Sequence, residues 1–262
     1  MAVIRYLGTC SGTEPMAGMH HCSWMLETDG AIYWFDAGEG CAYTAYTAGV
    51  DIMKTRALFI SHPHIDHVGG LSHLLFCFNK LIVREGSRLP NGNKLEAYIS
   101  DHELFNAAKT VATSGSSGKL HYDISLNSIE DGVLYVDENV KITALHNRHL
   151  KGDGENGKWH SFSYLIETEG KSIIFSGDLT APSELDPLLI NGADILLMET
   201  GHHKVSDVCE YAADKKIGAL RFHHHGREIL EGRERAESFV SEFSAAHGFD
   251  IKLCYDGMTD IL

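Results

Sequence analysis

Ser61-His62-Pro63-His64-Ile65-Asp66-His67-Val68-Gly69-Gly70 follows directly on the apolar run Ala57-Leu58-Phe59-Ile60. Three imidazoles and one carboxylate fall within six residues. A strand ending in such a loop can turn His62 and His64 to one side and Asp66 with His67 to the other, offering nitrogen and oxygen donors to two adjacent cations. The alternative, ordinary polar loop residues, has to produce His-x-His-x-Asp-His by accident. A donor set dominated by imidazole points to two divalent transition-metal ions, zinc or manganese, rather than calcium.

Outward from this loop, short runs rich in branched and aromatic residues and bounded by turn signals read as strands: 3–7, 23–28, 31–35, 58–60, 133–136, 140–145, 162–168, 171–175, 195–198, 219–222 and 251–255. Asp29-Gly30 and Glu169-Gly170 are hairpin turns. Helical periodicity covers 68–78, 101–112, 206–215 and 227–247. Hairpins come first and strands alternating with helices follow, which predicts an α/β fold of layered sheets with helices outside, as one domain over residues 1–262. Ser114-Gly-Ser-Ser-Gly118 reads as a flexible loop inside that domain.

Thirty-six acidic residues against 22 Lys and Arg give a formal charge of −14 over 262 residues, which disfavours a broad nucleic-acid-binding surface. The segment from Asn79 to Lys94 carries Lys80, Arg84, Arg88 and Lys94, a local basic run expected as a solvated loop. Six cysteines without a C-x-x-C pair fit neither a disulfide framework nor a thiolate zinc cage. No apolar run approaches the ~18 residues of a membrane span, so cytoplasmic residence without membrane contact is expected, and a homodimer is compatible with the composition.

The His-x-His-x-Asp-His stretch resembles the signature of the metallo-β-lactamase superfamily. Leu7-Gly8-Thr9 with Ser11-Gly12, and Phe35-Asp36-Ala-Gly38-Glu39-Gly40, look like the opening motifs of its ribonuclease Z-like and phosphodiesterase branch. The resemblance implies a four-layer αβ/βα sandwich with a two-metal site, usually zinc and in redox members iron, at the edge where its sheets meet. Such a site needs a third His, a bridging carboxylate and a last His at strand ends. Asp178, after Ile173-Ile174-Phe175-Ser176-Gly177, matches the family's Gly-Asp element, whose carboxylate resembles a bridge between the ions. Family spacing favours His149 as the third His, with His146 and His160 as alternatives. In Leu220-Arg221-Phe222-His223-His224-His225, strand alternation selects His224. The implied set is His62, His64 and His149 on one ion and Asp66, His67 and His224 on the other, with Asp178 between.

Two such ions favour hydrolysis through a metal-bridging hydroxide, with Asp66 both ligating and orienting the attacking group. Leu196-Leu197-Met198-Glu199-Thr200 looks like the ribonuclease Z element ending in His-Glu-Ala-Thr, with Met198 in place of that His. The resemblance pairs Glu199 with a downstream His that protonates the leaving oxygen: His203, with His202 or His225 as alternatives. Tyr255-Asp256-Gly257-Met258 resembles the tail of small phosphodiesterases of the superfamily. A phosphodiesterase acting on a small or cyclic phosphodiester is therefore expected. A tRNA 3′-end endonuclease and a non-hydrolytic metal-binding or redox protein are the alternatives.

Overall fold

The computed structural model describes residues 1–115, 118–152 and 157–262. Its contacts divide the chain into two compact units, residues 1–8, 18–129 and 256–262 in the first and residues 9–17 and 130–255 in the second. Each unit is built on a seven-stranded mixed sheet among the described residues.

In the first unit the strands are β1 (Val3–Gly8), β2 (Ser23–Thr28), β3 (Ala31–Phe35), β4 (Thr55–Phe59), β5 (Lys94–Tyr98), β6 (Asp123–Asn127) and β14 (Thr259–Ile261), in the order β14-β1-β2-β3-β4-β5-β6. Asp29 and Gly30 take φ of 45° and 73°, the left-handed pair that a tight two-residue hairpin demands, and they set the register Thr28↔Ala31. From β3 to β6 the pairing is parallel. Helix Leu71–Glu85 buries Leu71, Leu74, Leu75 and Phe78, an i, i+3, i+4, i+7 stripe that shares a core with Trp34, Leu58 and Ile60. The Trp34 indole donates to Thr55 Oγ1 at 2.8 Å, which satisfies the polar end of a fully buried ring.

The second unit holds β7 (Gly132–Val136), β8 (Val140–His146), β9 (Phe162–Thr168), β10 (Lys171–Phe175), β11 (Ala193–Glu199), β12 (Ile217–His223) and β13 (Asp250–Leu253), ordered β13-β12-β11-β10-β9-β8-β7. Strands β7 to β10 pair antiparallel, and β10 to β13 parallel. Helix Val205–Ala213 packs Val205, Val208, Cys209 and Ala212 into one core with Leu196, Met198, Leu220 and Phe222. Residues that follow the carboxyl ends of parallel strands, after β4 in the first unit and after β10, β11 and β12 in the second, carry the chemistry argued below.

Two expectations change, further elements are added, and one expectation falls partly outside the described residues. The basic run is not one loop, because helix Leu71–Glu85 continues through Lys80 and Arg84, with Lys80 lying over the Phe76 ring. The helix expected over 227–247 breaks at Gly232 into Arg227–Leu230 and Arg233–His247. Strands β5, β6 and β14 and helix Cys41–Thr47 were not foreseen, since Lys94-Leu-Glu-Ala-Tyr and Asp-Ile-Ser-Leu-Asn carry few large apolar residues. In the expected loop 114–118, residues 116 and 117 lie outside the described residues.

Candidate metal centre

In the first unit, β4 delivers the chain to Ser61, where Asp36 takes control of the loop. Asp36 is fully buried at φ 60°, a left-handed conformation that Asp tolerates better than most residues. Its carboxylate accepts the Ser61 amide at 2.6 Å and the Ser61 hydroxyl at 2.8 Å, and stands 2.7 Å from His67 Nδ1. A carboxylate at Nδ1 fixes the proton there and leaves the Nε2 lone pair for a ligand role. His67 Nε2 lies 3.4 Å from Asp66 Oδ2, and His62 Nε2 lies 3.1 Å from His64 Nδ1.

In the second unit, Asp178 follows β10 through Gly177 and is almost fully buried. Its two oxygens face different imidazoles. Oδ2 is 3.7 Å from His149 Nε2, and Oδ1 is 3.4 Å from His224 Nδ1. His149 sits just beyond β8, its amide donating to Asn147 Oδ1. His224 lies one residue past the end of β12 at φ 51°, so a left-handed turn aims its ring, and the strand alternation used above does not extend to it. Gly201 makes room, because a Cβ there would lie 2.6 Å from His224 Nδ1.

Two donors on one zinc ion at roughly 2.0–2.2 Å in tetrahedral geometry are separated by about 3.3–3.6 Å. The donor pairs within each unit span 3.1–3.7 Å, so the side chains fit metal ligation in chemistry and spacing. The Asp178 carboxylate faces His149 with one oxygen and His224 with the other.

Glu199, at the end of β11, is a second buried carboxylate. Its Oε1 accepts from the Leu179 amide at 3.2 Å and lies 3.1 Å from His202 Nδ1 and 3.3 Å from His203 Nε2. Burial opposes its ionisation, but hydrogen bonds from His202 and His224 outweigh that and hold its carboxyl down at about 2. The same Glu199 bond raises the His202 imidazole above its usual range against a desolvation cost. His202 also stands 3.7 Å from Asp178 Oδ2 and keeps 42% of its side chain exposed, against 12% for His203.

Of the other candidates, His146 is held by Asp131 at 2.6 Å and stacks on Trp159, while His160 lies half-buried just ahead of β9. His225 is fully buried with Nε2 2.8 Å from the Cys254 carbonyl, and burial pushes its imidazole down to about 4. Sequence reasoning does not find the clamp formed by Asp36 and Ser61, although Asp36 lies in the Phe35–Gly40 motif. A carboxylate flanked by the apolar strand end Phe35 and by Ala37 was the available signal, since such a group is seldom buried without a partner. Asp256 of the tail motif binds the His20 amide at 2.6 Å and its ring at 2.9 Å.

The profile of the family described as Anti-Pycsar protein Apyc1 matches residues 2–223. The chain is 32% identical over 224 residues to the ribonuclease Z of Listeria innocua, covering 82% of this chain and 66% of that protein. It spans 43% of the length of the ribonuclease Z of Treponema denticola, to which it is 27% identical over 143 residues, 54% of this chain. The metallo-β-lactamase fold protein YhfI of Bacillus subtilis superposes with a TM-score of 0.76 over 100% of both chains at 14% identity, which shows a shared fold.

Proposed function

The chain belongs to the Anti-Pycsar protein Apyc1 family, in the ribonuclease Z-like branch of the metallo-β-lactamase-fold hydrolases, and from that membership we propose a two-metal phosphodiesterase acting on a small or cyclic phosphodiester. The observation that carries the proposal is Asp178, whose two oxygens face His149 and His224 separately. In this reading His62, His64 and His149 hold one ion, Asp66, His67 and His224 the other, and Asp178 serves both.

Bound at such a site, a pair of divalent ions lowers the pKa of water and stabilises charge on a phosphoryl oxygen. The protein's own groups do the rest. Asp36 locks the His67 tautomer, and in this reading Asp66, whose Oδ2 lies 3.4 Å from His67 Nε2, both ligates and accepts a hydrogen bond from the attacking group. Glu199 orients two imidazoles, and we assign proton donation to the leaving oxygen to His202. The sequence singled out His203, but the His202 ring is the more exposed and stands beside Asp178. His203 remains the alternative on the same carboxylate.

We place the chain in a reducing, cytoplasmic setting, in keeping with six cysteines that form no disulfide among the described residues; among those residues no helix is long and apolar enough to cross a membrane. The relatives named ribonuclease Z favour a second reading, cleavage of a tRNA precursor. A panel of cyclic nucleotides, bis(p-nitrophenyl) phosphate and pre-tRNA, assayed from 50 to 200 mM salt with zinc or manganese, separates the two. The proposal expects turnover of small diesters with little salt dependence. Cleavage confined to pre-tRNA, falling steeply with salt, would replace it by the second reading.

A further inference from the structure

His224 is the one proposed ligand with a left-handed backbone, at φ 51°. Such a conformation in a non-glycine residue persists only where its surroundings fix it. What fixes it is the next residue. The His225 amide donates to the Thr9 carbonyl at 2.7 Å, and its carbonyl accepts from the Ser11 amide at 3.2 Å, so the chain pairs with the segment around Cys10 immediately past the turn. The His225 ring is bound at both ends, with Nε2 2.8 Å from the Cys254 carbonyl and Nδ1 3.5 Å from Thr200 Oγ1. The Nε2–H therefore donates to Cys254, and Nδ1 is left to accept from the Thr200 hydroxyl. On the opposite side, Gly201 offers a bare backbone against which the His224 ring lies, and its absent Cβ would fall 2.7 Å from His224 Cε1.

We propose that His225 is a positioning residue: its fully buried imidazole, tethered between Cys254 and Thr200, sets the left-handed turn that aims His224 Nδ1 at Asp178, with Gly201 as the space the aimed ring needs. The inference rests on the metal reading of Asp178 and His224 given above. It assigns the middle and last members of the His223-His224-His225 run different tasks, the second to bind and the third to hold. His223, packed edge-on to Phe175 at 6.2 Å, belongs to the strand.

The test uses the full chain, stripped with a chelator, and follows zinc uptake by equilibrium dialysis together with the visible spectrum of the cobalt-loaded protein. His225→Phe fills the ring's volume without its hydrogen bonds. His225→Gln keeps an N–H at about the reach of Nε2. Gly201→Ala crowds His224 from the other side and leaves every His225 bond in place. Outer partners of metal ligands typically contribute about 10–100-fold in affinity. The expected result is a loss of that size for one zinc equivalent in His225→Phe and in Gly201→Ala, with an altered cobalt spectrum, and recovery to within about threefold in His225→Gln. Wild-type affinity and spectrum in Gly201→Ala, or in a folded His225→Phe, would overturn the positioning role. A wild-type chain that takes up neither zinc nor cobalt would overturn the metal reading itself.

Discussion

The Nδ1 of His67 and the Oδ2 of Asp36 lie 2.7 Å apart with both side chains fully shielded from water. Asp36→Asn preserves the left-handed backbone, which Asn also tolerates, but removes the charge that fixes the imidazole. Zinc affinity is expected to fall by about 10–100-fold with the secondary structure retained. Dialysis against buffered zinc reads the affinity and far-ultraviolet circular dichroism reads the fold. Unchanged affinity would show that Asp36 serves only the loop backbone through Ser61.

Gly38 tests how tightly the same loop is seated. A Cβ there would lie 2.5 Å from the His21 carbonyl and 2.6 Å from the Asp66 carbonyl oxygen, both backbone, so neither neighbour can swing aside. Gly38→Ala is expected to destabilise the chain by about 1–3 kcal/mol, the usual range for overpacking, and to weaken metal binding. Urea denaturation of the metal-free protein measures the first effect alone. An unchanged midpoint would mean that the loop yields freely.

The donor assignment predicts a selective defect. Protonation of a leaving alkoxide is typically worth about 10²–10⁴ in rate. His202→Ala should therefore slow diesters with alkyl or ribose leaving groups by that order while sparing p-nitrophenyl esters, whose leaving group needs little protonation. His203→Ala should cost less, since its ring is largely buried. If the selective defect appears in His203→Ala instead, the donor moves to that residue. An equal loss on both ester types removes proton donation from both.

The thiols give a prediction independent of the metal. Burial pushes Cys41 and Cys209 up to about 12, and it raises the half-buried Cys77 as well. Because thiolate is the reactive form, raising the pH from 7 to 9 should bring no rapid alkylation of Cys41 or Cys209 in the native protein. Full labelling is expected only after denaturation, and peptide mass spectrometry resolves the sites. Fast native labelling of Cys41 would contradict the packing of helix Cys41–Thr47.

Much of this was legible in one dimension because the decisive signals are local. Asp29-Gly30 and Glu169-Gly170 define two hairpins whose strands run 23–28, 31–35, 162–168 and 171–175 in the sequence and in the structure alike. What escaped depends on distant partners. Leu95 and Ala97 form a strand because β4 and β6 flank them, which no window around residue 95 reveals. The role of Asp36 requires knowing that Ser61 and His67 close over it across 25 and 31 residues. His224 was reached by extending strand alternation one residue beyond the strand. Its aim comes instead from a left-handed turn and the vacancy at Gly201, features a period-2 pattern does not carry.

The proposed phosphodiesterase depends on two ions held by Asp178 together with His62, His64, Asp66, His67, His149 and His224. Titrating the chelator-stripped protein with zinc while following bis(p-nitrophenyl) phosphate hydrolysis tests it directly, with Asp178→Ala alongside. Activity is expected to climb to a plateau at two equivalents per chain, and Asp178→Ala, still folded, to bind at least one fewer ion and stay inactive. A wild-type protein that shows no hydrolysis at any zinc level, or an Asp178→Ala protein with full activity, would contradict it.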